Sequence, residues 1–411
     1  MHISHLSLTN FRNYGRLELP LPIGPILLYG NNAQGKTNLL EAIYYLATTR
    51  SPHADNDAQL LNWNAAQSGE PIVVGRLVAD VVTAQQSHQI EMRLIQEQKP
   101  APSATRNFSF RRQALLNRRK VRLMDLLGTM RVVLFLPEDV QLVTGSPANR
   151  RRYMDITLCQ IDPVYCRTLS NYNKVLEQRN ALLRQIADGH ARQDMLPIYT
   201  EKLAELGSAI FLRRAAFLAE LSRETQRIHY ETLTEGRESI RLLYLPRLSL
   251  KKSKLDPHAQ QETAPLSNWL ETHQGQSEKV TERFVKLLQE SLATDIARGA
   301  TTIGPHRDDW SFQLNGRSLG SFGSRGQQRT AILALKMGEI NWMTAVTGER
   351  PILLLDEVVA ELDEQRRSAL LSYVIGTTQT ILTATDPGMF TDPFLQKATR
   401  IEIRNGRVNV M

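Results

Sequence analysis

Eight consecutive residues, Gly30-Asn31-Asn32-Ala33-Gln34-Gly35-Lys36-Thr37, satisfy every fixed position of the pattern GxxxxGK[ST]. Glycines at both ends let the backbone curl round an anion so that successive N–H groups point inward. A helix starting near Lys36 would add its positive N-terminal end. On this reading Lys36 neutralises the β- and γ-phosphate oxygens of ATP, and the Thr37 hydroxyl ligates Mg2+. A glycine-bearing surface turn is the alternative, and the complete match argues against it. Phosphoryl transfer also needs a second hold on the metal and a group that orients water. Asp356-Glu357 follows the apolar run Ile352 to Leu355, which sets both carboxylates at the exposed end of a buried strand. Asp356 would hold Mg2+ through water, and Glu357 would act as general base. An acidic pair closing a strand is common by itself; with the loop upstream it becomes the expected partner.

A third group lies nearby in sequence. Ser324-Arg325-Gly326-Gln327 precedes a helical pattern carrying Ile332, Leu333, Leu335 and Lys336. A hydroxyl, exposed backbone N–H groups and a helix N-terminus converge there, which makes an anion site. His306, Asp308 and Asp309 suggest a metal cluster, but their spacing fits no ligand template, and a structural role is the better reading.

These groups need elements to hold them. Ile3 to Leu8 and Arg16 to Leu19 read as short strands, and Ile26 to Tyr29 as a buried strand after a turn region bearing Pro20, Pro22, Gly24 and Pro25. Leu39, Leu40, Ile43 and Leu46 then recur at helical spacing, so the loop sits between strand and helix. Residues 72–82 and 88–95 read as strands, and Pro100-Ala101-Pro102 as a loop. From Arg150 to about Thr234 helical patterns dominate, Lys251 to Ala264 reads as an exposed linker, and a helix is expected over Glu278 to Leu292. A long helix from Gly326 to Thr344 and strands over 352–355 and 379–382 close the pattern. The order predicts an α/β P-loop head made of residues 1–145 and 300–411, interrupted by a mainly helical insertion over 146–299.

Composition bounds the partners. The chain has 411 residues, 42% of them hydrophobic, and 50 Lys+Arg against 42 Asp+Glu, a net +8 that favours a polyanion such as DNA. The two cysteines, Cys159 and Cys166, form no CxxC pair, which excludes a zinc ribbon and a disulfide framework and suits reduced thiols. No apolar run approaches the ~20 residues that cross a bilayer, and no secretory signal opens the chain. A cytoplasmic protein without a membrane partner is expected.

The Ser324–Gln327 segment resembles the signature motif of ABC-type ATPases, with Arg325 where glycine is commoner. In that class the signature of one subunit meets the γ-phosphate held by its partner's loop, which implies an ATP-dependent homodimer with Ser324 and Gly326 reaching across. The chain further resembles the RecF family of recombination mediators. The resemblance is carried by Pro137 to Pro147 with Arg150 to Asp155, by Gly304 to Asp309, by Leu353 to Leu370 with Glu361-Leu362-Asp363, and by Asn10-Phe11-Arg12-Asn13-Tyr14. These blocks run from residue 3 to about 386. The resemblance implies ATP and Mg2+ as cofactors, with Arg12 beside Gly30–Thr37 at the nucleotide. It implies duplex DNA and single-strand/double-strand junctions as substrate, and RecO and RecR as partners in placing RecA. It departs from ABC transporters in one place: the strand after Asp356 ends in Thr383-Ala384-Thr385-Asp386, without the His that contacts the γ-phosphate. Slow hydrolysis is therefore expected, and a transporter motor is disfavoured. A protein that binds ATP and scarcely turns it over is the remaining rival.

For DNA contact the richest stretch is Arg106 to Arg122. It holds seven basic residues, Arg112, Arg118, Arg119 and Lys120 among them, no acid, and Phe108 and Phe110 interleaved. Such a stretch suits sequence-independent phosphate contacts; a solvated cationic hairpin is the alternative. Arg150-Arg151-Arg152 is a second candidate, or else pairs with acids within the fold.

Overall fold

A computed structural model describes residues 1–99, 107–250 and 260–410. The Pro100–Pro102 loop, Arg106 and residues 251–259 of the expected linker lie outside the described residues. The chain divides into two compact units, Met1–Glu138 with Met343–Met411, and Asp139–Trp342. The expected head took residues 300–342 as its own; they fall instead in the second unit. The reason is strand pairing, for Asp309–Leu314 lies antiparallel to Ile240–Leu245, with Asp309 opposite Leu245 and Leu314 opposite Ile240.

The first unit stacks two six-stranded sheets about a helix. One sheet is antiparallel, in the order Tyr14–Pro20, His2–Phe11, Ile72–Val82, Ser87–Lys99, Asn107–Leu116, Arg119–Val121. The other runs Arg407–Val410, Thr399–Arg404, Gly24–Tyr29, Gln379–Ala384, Ile352–Leu355, Val132–Phe135. All its pairings are parallel except the terminal hairpin. Strand alternation sends Leu6, Leu8, Leu77, Met92 and Leu94 from the first sheet, and Ile26, Leu28, Ile352, Leu354 and Ile381 from the second, into one core. Helix Lys36–Thr48 contributes Leu39, Leu40, Ile43 and Leu46 to that core, all four of them fully buried. Each such side chain stabilises the fold by ~1.5–3 kcal/mol. The helix stops at Thr49, which takes a left-handed φ of 56° and returns its N–H to the Tyr45 carbonyl. The loop before this helix is thus anchored at both ends by buried apolar contact.

The second unit is mainly helical, with Pro147–Cys159, Pro163–Ala187 and Leu196–Arg227 as its first long helices. Pro147 and Pro163 sit in the first turns of their helices, where no N–H is missed. Ser146 and Asp162 cap those helices through Asn149 N–H and Tyr165 N–H. A further helix starts at Gln260, so residues 260–264, expected in the linker, are helical. Buried charges tie this unit together. Arg214 donates to Asp308 at 3.0 Å and Asp155 at 2.8 Å, and Arg150 grips Asp309 at 2.6 and 2.9 Å. His306 meets Tyr172 Oη at 2.7 Å and the Thr301 carbonyl at 3.0 Å. The His306–Asp309 segment is spent on the fold, and among the described residues no cluster of three His, Cys, Asp or Glu is placed to hold a metal. No helix of the described residues is long and apolar enough to cross a membrane.

Candidate nucleotide site

Strand Gly24–Tyr29 delivers the loop from the centre of the parallel sheet, between Gln379–Ala384 and Thr399–Arg404. Gly30 has a φ of 145°, and a Cβ there would stand 2.4 Å from the Ile403 carbonyl oxygen. Gly35 has a φ of 115°, and its Cβ would meet Asn13 Nδ2 at 2.6 Å and Tyr14 Oη at 3.0 Å. Both backbone conformations disfavour any side chain, and at Gly30 the Ile403 backbone leaves no space for one either. Lys36 opens the helix with its ammonium almost buried, donating to the Gly30 carbonyl at 2.8 Å and the Asn31 carbonyl at 3.0 Å. The ammonium therefore lies inside the curl that the N–H groups of a phosphate loop line.

The carboxylates reach the same place. Asp356 follows strand Ile352–Leu355 and accepts the Thr37 hydroxyl at 3.1 Å and the Thr383 hydroxyl at 2.7 Å, both on Oδ1. Burial pushes its carboxyl above the ordinary range, against those two hydroxyls, which favour the charged form. Glu357 carries its side chain 41% exposed and 3.4 Å from Lys36 Nζ. Its backbone takes a left-handed φ of 52°, and its N–H donates to Thr383 Oγ1 at 2.9 Å. A cavity of about 30 Å³ adjoins Glu357, lined also by Thr383, Thr385, Met389 and Phe390. The donor set suits Mg2+: a hydroxyl and a carboxylate offer hard oxygens on one side, leaving room for water and phosphate ligands.

Arg12, expected beside the nucleotide, is tied to the segment that follows the helix. Its guanidinium is bidentate on Glu41 at 2.7 and 2.8 Å and donates to the Gln59 carbonyl at 3.0 Å. Glu41 is fully buried and also takes the Ser51 hydroxyl at 2.5 Å. Arg12 is thus a brace for the segment after the helix. Its two neighbours brace the loop itself. Asn13 Nδ2 donates to the Gln34 carbonyl at 2.8 Å while Asn38 Nδ2 donates to Asn13 Oδ1 at 2.8 Å, and Tyr14 Oη donates to the Gly35 carbonyl at 2.9 Å. Burial pushes the Tyr14 phenol up, so it stays a donor. From the C-terminal hairpin, Asn405 N–H donates to Gln34 Oε1 at 2.7 Å and Gly406 N–H to the Gln34 carbonyl at 3.0 Å. These two residues were not among the expected site residues, although an Asn-Gly pair between alternating segments marks a hairpin turn.

In the second unit, Ser324 stands before helix Arg325–Thr347. Its hydroxyl accepts the Gln327 N–H at 3.2 Å, and its own N–H donates to Gln327 Oε1 at 2.9 Å. This reciprocal capping box fixes Ser324 and Gly326 at the helix N-terminus, both exposed. A cleft of about 370 Å³ opens beside it, lined by Arg317, Phe322, Gly323 and Gln327 among others.

The basic stretch forms a hairpin of strands Asn107–Leu116 and Arg119–Val121. Asn117 and Arg118 turn it with φ values of 51° and 65°, the two left-handed positions of a type I′ turn. Arg118, Arg119 and Lys120 are exposed and have no ion-pair partner among the described residues. The other described arginines of the stretch are engaged within the fold: Arg111 with Glu97 at 2.7 Å, Arg122 with Asp125 at 3.0 Å, and Arg112 with Asp57 at 2.9 Å and the Thr49 carbonyl. Arg150 and Arg151 are likewise taken up, by Asp309 and by the Asp308 carbonyl.

Over residues 2–409 the chain matches the family model described as RecF/RecN/SMC N terminal domain. It is 39% identical to the DNA replication and repair protein RecF of Roseiflexus castenholzii, across 99% of each chain. It is 36% identical to the protein of the same name from Bacillus thuringiensis, across 100% of this chain and 98% of that one. Among solved structures, that of the recombination mediator protein RecF-ATP in the RecFOR pathway superposes with a TM-score of 0.80 at 29% identity, covering 100% of this chain and 97% of that one. An Smc head domain from Pyrococcus furiosus gives 0.50 at 14% identity, with 100% and 96% covered, a likeness of fold alone.

Proposed function

The chain belongs to the RecF family of the RecF/RecN/SMC group, and from that premise we propose that it is an ATP-dependent DNA-binding protein of recombinational repair and replication-gap repair. The observation that carries the reading is the junction of two distant segments, where Thr37 and Asp356 meet at 3.1 Å across 319 positions of sequence. Such a junction is what a phosphate loop and its metal carboxylate require.

Gly30 to Thr37 would wrap the triphosphate of ATP, with Lys36 leaving the Gly30 and Asn31 carbonyls for the β- and γ-phosphates. Thr37 and Asp356 would hold Mg2+, which neutralises phosphate charge when bound. Glu357, more exposed than Asp356, is placed to take a proton from the attacking water. Ser324 and Gly326 would complete the site of a second copy, so that ATP closes two chains on duplex DNA beside single-strand gaps. Arg118, Arg119 and Lys120 would meet DNA phosphates. With no His among Thr383 to Asp386, where transporters carry one, turnover is slow and DNA-stimulated, and serves to reopen the dimer. Family membership supports work in the cytoplasm with RecO and RecR in loading RecA.

Light scattering with ATP and duplex DNA present, each then omitted, tests the reading. A dimer that forms only with ATP and is favoured by DNA is expected. A monomer under saturating ATP and DNA would remove the shared site.

A further inference from the structure

The hydroxyl of Thr383 sits between the two carboxylate residues and bonds to both. Leu355 lies opposite Leu382 in the parallel pairing, so the next residues on the two strands, Asp356 and Thr383, also fall side by side. Thr383 is buried, and its Oγ1 donates to Asp356 Oδ1 at 2.7 Å and accepts the Glu357 N–H at 2.9 Å. The polarity of this chain is fixed. An amide only donates and a charged carboxylate only accepts, so the single hydroxyl proton must point at Asp356. Each bond polarises the next, which strengthens both.

Two geometric consequences follow. Asp356 Oδ1 is held from one side by Thr37 and from the other by Thr383, so its carboxylate plane is set before any ligand arrives. Glu357 occupies a left-handed backbone conformation that a non-glycine residue seldom adopts, and the bond from its N–H to Thr383 helps to hold it there. That conformation sends the Glu357 side chain to within 3.4 Å of Lys36. One hydroxyl therefore fixes both the Asp356 carboxylate and the backbone that aims Glu357.

Resting on the nucleotide-site reading above, we propose that Thr383 is the positioning residue that couples the Mg2+ carboxylate Asp356 to the general base Glu357. It acts through those two residues, to which its hydroxyl is bonded.

The test compares wild type with Thr383→Val, which keeps the shape and removes the hydroxyl, and Thr383→Ser, which keeps the hydroxyl. Binding of a fluorescent ATP analogue is titrated with Mg2+ and, separately, measured in EDTA. Thr383→Val should bind the analogue in EDTA as wild type does, while its Mg2+ half-saturation rises on the order of 10- to 100-fold, the effect of losing one hydrogen bond to a charged group. Its kcat for ATP should fall in step with KM unchanged at saturating Mg2+, and Thr383→Ser should restore both to within a few-fold. A wild-type Mg2+ titration in Thr383→Val, or a serine variant as impaired as the valine one, overturns the proposal. Should the valine variant not fold, hydrogen exchange in the wild type decides: the Glu357 amide must be protected like its strand neighbours, and exchange at an exposed-loop rate overturns it. A wild type that responds to no Mg2+ at all would count against the nucleotide-site reading instead.

Discussion

Tyr14→Phe isolates what a single brace contributes to the phosphate loop. The phenol donates to the Gly35 carbonyl at 2.9 Å from a fully buried ring, and phenylalanine fills the same space without the donor. The Gly35 carbonyl is not orphaned by the change, because the Leu39 N–H still donates to it at 3.1 Å as the first bond of the helix. The loss should therefore sit near the ordinary net value of one hydrogen bond, about 0.5–1.5 kcal/mol, without a desolvation penalty on top. If that energy holds the loop in its binding shape, ATP affinity falls about 2- to 10-fold. Thermal stability should drop by only a few degrees, since 1 kcal/mol moves a unit of this size by roughly 2–4 °C. Titration with a fluorescent ATP analogue and a thermal melt measure the two. Affinity equal to wild type with a lowered melting point would mean that the bond stabilises the fold and leaves the loop's shape to other contacts. A loss beyond 100-fold would also refute the reasoning, because it would make Tyr14 a contact of the nucleotide itself.

Glu357→Gln keeps the shape of the base and removes its basicity, so ATP should still bind while ATP-bound dimers accumulate; size-exclusion profiles that match wild type after prolonged incubation would contradict this. Neutralising Arg118, Arg119 and Lys120 together should flatten the salt dependence of duplex-DNA binding by ~0.9 in slope for each DNA phosphate left without its cation. Fluorescence anisotropy across salt concentrations measures it, and an unchanged slope takes the hairpin out of the DNA face. His306 gives a pH dependence. Burial pushes its pKa down to about 4 while the unfolded chain titrates near 6.5, so the unfolded state binds the extra proton between those values. The stability it contributes is complete above 6.5 and declines as pH falls toward 4, by up to about 1.4 kcal/mol per pH unit. Urea unfolding at pH 7 and pH 5 should show a smaller difference in His306→Gln than in wild type, and an equal difference would mean that other groups set the slope.

By itself the sequence made its contiguous motifs legible. The phosphate loop, Gly30 to Thr37, is one contiguous run whose glycines and flanking periodicities can be read without a partner, and the helix Lys36–Thr48 follows from the spacing of its own apolar residues. Asp356 and Glu357 were legible because an apolar run ending in acids implies a buried strand with an exposed end. The tertiary structure decided which distant groups meet. Nothing near Thr383 signals that its hydroxyl links Asp356 to Glu357, since that depends on the parallel register of strands 27 positions apart. Asn13, Tyr14 and Asn405 converge on Gln34 and Gly35 only once two separate sheets enclose the helix between them. Arg112, expected as a DNA contact, is paired with Asp57, and Arg12, expected at the nucleotide, is paired with Glu41, because folding brings those acids close. The unit boundary moved for the same reason, when Asp309–Leu314 found its partner in Ile240–Leu245. Periodicity records which face of an element is buried; it does not record against what, and hydrogen-bond partners are chosen only when the buried faces have met.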